Sequence, residues 1–224
     1  MSSSDDLPVV VVDDPRAAVL DQLRDRLGDA LVDAVHKPGD DLWIRVRTED
    51  WASVGETLKS AGFHYFCFLS AIDWLPSPYG KGEDDPTEPP PERQTEVRPG
   101  YCGGETRLQL LVRLTDLDRH LGLTVKVDVP DDEPEMPTWT GVFAGAGWHE
   151  RETWEMFGIQ FLGHPDLRHL YLPTDFERFP LRKDFPLLSR MVKPWPGIVD
   201  VEPMPAELDE DAAPADGADG GDAG

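Results

Sequence analysis

The chain has 224 residues, with 21 Lys and Arg against 44 Asp and Glu and a formal net charge of −23. That length fits one domain with appendages or two small ones, and that charge excludes direct nucleic-acid binding and disfavours anionic lipid, both of which need clustered Lys and Arg. Two cysteines are too few for a disulfide framework or for holding an iron–sulfur cluster alone.

Along the chain, the opening MSSSDDLPVVVVDD has no basic region and no long apolar stretch, which predicts no signal peptide. No window of about 18 uncharged apolar residues predicts a membrane helix, so a cytoplasmic chain is expected. Asp14 followed by Pro15 reads as an N-cap with proline at the first helical position. Val19, Leu20, Leu23 and Leu27 then recur at helical spacing up to Gly28. Leu31–Val35 and Leu42–Arg47 read as strands separated by the turn KPGDD. In the second strand, Trp43 and Arg45 face away from Ile44 and Val46. Asp50 caps a helix over 51–61, ended by Gly62. Phe63–Ile72 is apolar and aromatic, suited to a central strand that buries Cys67. Thr106–Thr115 and Leu121–Val129 alternate and are joined by TDLDRHLG, as in a hairpin. Residues 138–158 read as helix again, after which regular structure is expected to run out.

The predicted fold is α+β: helices packed on one face of a mixed β-sheet, followed by a long extended C-terminal strap. The expected organisation is an acidic segment 1–14, an α+β domain 15–158 with a Pro/Gly-rich acidic insertion at 76–105, a strap at 159–199 and a disordered acidic tail at 200–224. The strap carries prolines at 165, 173, 180, 186, 194 and 196 between large apolar residues such as Phe161, Leu170, Tyr171, Phe176, Phe179 and Phe185. Such a pattern is poor helix and poor disorder, and reads as a segment that lies on something.

Charge is concentrated outside the domain. Residues 200–224 hold nine acids and no base, and residues 1–14 hold four acids and no base. The insertion and the run Asp131, Asp132, Glu133 and Glu135 supply most of the rest. These appendages are too poor in apolar surface to offset ordering entropy. Within 150–190, by contrast, seven acids meet six bases, a balance suited to a surface buried against another protein.

Tested for chemistry, His149-Glu150-Arg151-Glu152-Thr153 starts like a helical zinc motif but has Thr153 where the second His is required. His164 and His169 have no thiols beside them, and Gly145-Ala146-Gly147 lacks the third glycine of a dinucleotide fingerprint. Arg151 and Glu155 are four apart on one helix and are expected to pair. A stand-alone hydrolase using Glu150, Glu152 and Asp166 is the enzymatic alternative. Arg182-Lys183-Asp184 forms a compact charged knot between Pro180-Leu181 and Phe185-Pro186, read as an interface anchor.

Three blocks carry a resemblance: Glu150-Arg151-Glu152-Thr153-Trp154-Glu155-Met156-Phe157-Gly158-Ile159, then Gly163-His164-Pro165-Asp166-Leu167-Arg168, then Pro180-Leu181-Arg182-Lys183-Asp184-Phe185-Pro186-Leu187. In this order they closely resemble the family of C-type subunits of NADH-quinone oxidoreductase, part of the peripheral arm of respiratory complex I. The sequence departs from that family's pattern at Glu155, where Asp is common, at His169, where a second Arg is frequent, and in the insertion and tail. The resemblance implies a non-catalytic structural and assembly role with no cofactor in this chain. FMN, iron–sulfur clusters and quinone would reside in other subunits of a proton-pumping complex. It implies packing against the D-type subunit that forms the quinone site, and against neighbouring iron–sulfur subunits, on the cytoplasmic side of the cell membrane. Glu150, Arg151, Glu152, Gly163, His164, Pro165, Arg168, Arg182, Lys183, Asp184 and Phe185 are the implied interface signature. The equivalent subunit of a membrane-bound hydrogenase, or of another donor-linked relative, is the alternative.

Overall fold

A computed structural model describes residues 14–37, 39–76 and 96–185. The expectations for the acidic segment at 1–13, the body of the insertion at 77–95, the strap at 186–199 and the tail at 200–224 lie outside the described residues.

Helix α1 spans Pro15–Leu27. Asp14 Oδ1 accepts the Arg16 N–H, so the cap works as the sequence predicts, and Gly28 ends the helix at φ +53°. Helix α2 spans Trp51–Ser60. Its expected cap differs: Asp50 makes no side-chain capping bond, because its carboxylate instead pairs with Arg47 Nε at 3.0 Å.

The strands are β1 (Leu31–Val35), β2 (Leu42–Val46), β3 (Tyr65–Asp73), β4 (Leu108–Asp116) and β5 (Leu121–Asp128). They form one mixed sheet in the order β1-β2-β5-β4-β3, in which β2 and β5 are parallel and every other pair is antiparallel. Register aligns Ile44 with Val125, Val125 with Val112, and Val112 with Leu69, so one row of apolar side chains runs across the sheet. These residues, with Val19, Leu20, Leu23 and Leu27 of α1 and Trp51, Val54 and Leu58 of α2, form the core. Each such side chain stabilises the fold by roughly 1.5–3 kcal/mol through removal from water. The α+β class is therefore the observed one.

The opposite face of the sheet is polar and also largely covered. Lys126, on β5, is 1% exposed, and its ammonium donates to the carbonyls of Tyr101 and Gly103 at 2.7 and 2.8 Å. Trp74 lies over that ammonium at 5.2 Å and donates to Gln109. Tyr101 packs against Trp43 at 5.3 Å. Residues 100–104 thus lie against the sheet rather than away from it. Cys102 is buried there, and burial pushes its thiol up to about 11. Cys67 is only half-buried and contacts Thr115 Oγ1. The expectation of a buried Cys67 is corrected, because it falls at a register shift in an edge strand. Both thiols are free.

Two further corrections follow β5. Residues 138–145 are turns, and helix α3 spans only Ala146–Phe157. Regular structure does not stop at Gly158, since β6 (Glu135–Pro137) and β7 (Gln160–Leu162) pair in parallel on either side of α3. Trp51 and Trp139 stack at 4.0 Å, and each indole N–H donates to the other's neighbourhood: Trp51 Nε1 to the Pro137 carbonyl, Trp139 Nε1 to the Trp51 carbonyl. That reciprocal lock ties α2 to the turn leading into α3. Among the described residues, no helix is long and apolar enough to cross a membrane.

Candidate interface site around the third helix

Helix α3 sends its charged residues to different parts of the chain. Glu150 points inward at 0% exposure. Its carboxylate accepts the Trp139 N–H at 2.6 Å and the Thr138 hydroxyl at 2.5 Å. Burial raises this carboxyl to about 7, against the opposing pull of those two bonds. Glu150 therefore holds the 138–139 turn, and it is not open to a substrate.

The i,i+4 spacing predicts that Arg151 and Glu155 pair with each other. The structure sends each to the backbone of residues 168–172 instead. Arg151 donates through Nε to the Arg168 carbonyl at 3.0 Å and through Nη2 to the His169 carbonyl at 2.8 Å. Glu155 accepts three successive backbone N–H groups, from Leu170 at 2.8 Å, Tyr171 at 2.9 Å and Leu172 at 3.4 Å. His169 Nδ1 adds a contact at 3.3 Å. Burial pushes the Glu155 carboxyl up, but the donors converging on it outweigh that and hold it below the usual carboxylate range. The exchange is physically reasonable: an exposed i,i+4 pair contributes only tenths of a kcal/mol, whereas the buried Glu155 carboxylate left without its donors would cost about 1–3 kcal/mol or more.

The centre block makes a turn. Gly163 adopts φ +84°. His164 donates from Nε2 to the Gly147 carbonyl at 3.0 Å and accepts the Asp166 N–H at Nδ1, also at 3.0 Å, which fixes its tautomer. Pro165 lies exposed between them, and Arg168 pairs with Asp166 at the surface. Glu152 is half-buried. Neither the two histidines nor the acids of a hydrolase are assembled into one chemical centre: Glu150 is sealed, while Asp166 sits at the surface with Arg168.

The third block returns to the C-terminal end of α3. Leu181 N–H donates to the Met156 carbonyl at 3.1 Å, and Arg182 Nε to the Phe157 carbonyl at 2.5 Å. Gly158 ends α3 in the left-handed region at φ +75°, and a Cβ there would meet the Phe179 ring at 2.5 Å, so only glycine fits. Lys183 donates its backbone N–H to Asp73 Oδ2 at 2.8 Å, and Asp184 pairs with Arg107 at 2.9 Å. Phe185 packs near Phe176 at 6.1 Å. Trp148 (73% exposed), Tyr171 and Leu181 are large apolar side chains left facing outward here.

Sequence reasoning missed four participants: Asp73, Arg107, Thr138 and Trp139. Each is distant in sequence from the group it holds, and nothing in its local pattern signals the contact.

The architecture is that of an α+β domain whose C-terminal segment is fastened across its own third helix, with apolar side chains left outward. The family described as Respiratory-chain NADH dehydrogenase, 30 Kd subunit, matches residues 44–191, and the chain belongs to it. It is 34% identical over 171 residues to the C-type NADH-quinone oxidoreductase subunit of Roseiflexus sp. (strain RS-1), covering 76% of this chain and 84% of that protein. It is also 34% identical over 185 residues to the C/D-type NADH-quinone oxidoreductase subunit of Cronobacter sakazakii, covering 82% of this chain and 27% of that longer protein. The chain thus spans about a quarter of the length of the C/D-type relatives it matches. In fold it is similar to a chain of the membrane-bound sulfane sulfur reductase, an archaeal respiratory membrane complex, with a TM-score of 0.60 and 20% identity over 78% of this chain and 88% of that one.

Proposed function

We propose that this chain is a structural and assembly subunit of a proton-translocating NADH:quinone oxidoreductase, with no catalytic centre or cofactor of its own. In such a complex electrons pass from NADH through FMN and iron–sulfur clusters to quinone, all held by other subunits. The chain would pack chiefly against the D-type subunit that forms the quinone site and against neighbouring iron–sulfur subunits, as a peripheral member on the cytoplasmic side of the cell membrane.

One observation carries this reading: most of the charged residues of the signature blocks are spent on contacts within the chain itself. Glu150, Arg151, Glu155 and His164 each hold a turn or a chain segment, and Arg182, Lys183 and Asp184 bind carbonyl, carboxylate and guanidinium partners within the chain. Left outward are the apolar side chains of Trp148, Tyr171 and Leu181 together with the Asp166–Arg168 pair, a mixture suited to a protein contact. The C/D-type relatives, in which both parts share one polypeptide by name, favour the D-type protein as the neighbour.

Deleting residues 173–224 tests the reading. The truncated chain is expected to leave the complex on a native gel and to lower NADH:quinone reductase activity in membranes. Normal assembly and activity would overturn it. The second reading, an equivalent subunit of a hydrogenase or other donor-linked complex, draws on the shared fold with the sulfane sulfur reductase chain. Co-purification decides it: NADH-binding flavoprotein partners favour the first reading, hydrogenase partners the second.

A further inference from the structure

Asp73 ends β3 and Arg107 directly precedes β4, so the two residues stand on either side of the long excursion at 74–106. They close its root. Arg107 donates from Nε to Asp73 Oδ1 at 3.0 Å and from Nη2 to Oδ2 at 2.7 Å, a bidentate pair, while the Trp74 N–H donates to the Arg107 carbonyl at 2.9 Å. The Asp73 side chain is fully buried. The same guanidinium reaches the C-terminal segment as well, donating from Nη1 and Nη2 to Asp184 at 3.2 and 2.9 Å. Asp73 Oδ2 also accepts the backbone N–H of Lys183 at 2.8 Å. One buried carboxylate and one guanidinium therefore join three points of the chain that are far apart in sequence.

We propose that Asp73 and Arg107 are positioning residues. They form a buckle that fixes the course of residues 181–185 across the domain, and through that course they present this segment to a partner in the complex. The part concerning the partner rests on the function proposed above; the buckle itself does not.

The arrangement differs from an ordinary surface ion pair in ways that matter. A bidentate guanidinium fixes orientation as well as distance. A buried carboxylate that has lost a donor is costly, so it enforces the seating of whatever supplies that donor. Because Lys183 contributes a backbone N–H, the direction of the main chain itself is what is read at that point. Two residues earlier the Leu181 N–H is held by Met156, and Arg182 by Phe157. Residues 181–184 are thus pinned at both ends, and their course is defined by the sheet as well as by α3.

Limited trypsin digestion of the full chain tests the buckle, read by mass spectrometry at the Arg182–Lys183 bond. Cleavage there is expected to be slow in the wild type and faster by on the order of tenfold in Asp184→Ala, because proteolysis of a locally opened segment follows the opening equilibrium. Asp184→Glu should restore protection, and the melting temperature of the domain should stay unchanged, since Asp184 is half-exposed. Asp73→Asn is a second arm that removes the buried charge. Cleavage as slow as wild type in both Asp184→Ala and Asp73→Asn would overturn the proposal. So would fast cleavage with undiminished co-purification of the partner, because the chain's course would then not direct assembly. Failure of the wild-type chain to co-purify with any other member of the complex would instead overturn the proposed function, and the cleavage series would still decide the buckle.

Discussion

Glu150 is a carboxyl group placed where its charge is unwelcome, and its two hydrogen bonds do not fully compensate. With its ionisation raised from 4.5 to about 7 by burial, the folded state binds this proton more tightly than the unfolded chain does. Linkage then gives the sign: the contribution is fully present below about pH 4.5 and is lost as pH rises through about 7. Melts of the wild type should lose on the order of 2–3 kcal/mol between these limits from this group alone. Glu150→Gln keeps an acceptor for Trp139 and supplies a donor to Thr138, and is expected to flatten that dependence. An unchanged slope in the variant, measured by urea unfolding from about pH 5 to 8, would assign the dependence elsewhere. Glu155 has the opposite sign, because its ionisation is depressed. Its contribution is present above the ordinary glutamate range and disappears as pH falls through its lowered value.

At the scale of elements, α3 works as a clamp with two jaws. Arg151 holds carbonyls and Glu155 holds N–H groups of the same crossing segment, one helical turn apart. Glu155→Ala would leave up to three backbone donors without their acceptor, and is expected to cost about 2–3 kcal/mol. Amide exchange at residues 170–172 should accelerate well before exchange in β4 and β5; equal acceleration everywhere would mean global destabilisation and no clamp. The helices and long strands are legible from sequence because their apolar spacing is strong: Val19, Leu20, Leu23 and Leu27 alone define α1 and the face it buries. The β6–β7 pair is not legible, because three-residue strands have no period to read and pair across the length of α3. The same limit explains the over-long helix expected from residue 138, where Trp139 and Phe143 are apolar because they fill the core from a turn. The three signature blocks are readable as a pattern, but their physical use is not. Spacing suggests that Arg151 and Glu155 pair with one another, and nothing local announces a partner stretch of backbone.

For the whole molecule, the sheet has two unlike coverings. Helices α1 and α2 lie on an apolar face, while residues 100–104 sit on a polar one through Lys126, whose ammonium has carbonyl partners and lies under Trp74. Lys126→Met would remove the donor shared by the Tyr101 and Gly103 carbonyls, leaving Gly103 only its bond from Gln109. It is expected to release residues 100–104, seen as faster exchange there and as greater reactivity of Cys102 toward a thiol reagent. Cys102 unchanged in reactivity would mean that the segment is held by other contacts. The net charge of −23 is a poor guide to this domain, where several acids are paired: Asp14 with Arg16, Asp73 with Arg107, Asp116 with Arg119, Asp128 with Arg45.

The clamp on α3 grips main chain, and main chain is the same whatever side chains it carries. The residues of the crossing segment that face outward, Tyr171 and Arg168 among them, are therefore free of the duty of holding it in place. Geometry and identity of the contact are encoded separately, so a lineage or an engineer can rewrite what the surface recognises without having to rebuild how it is presented.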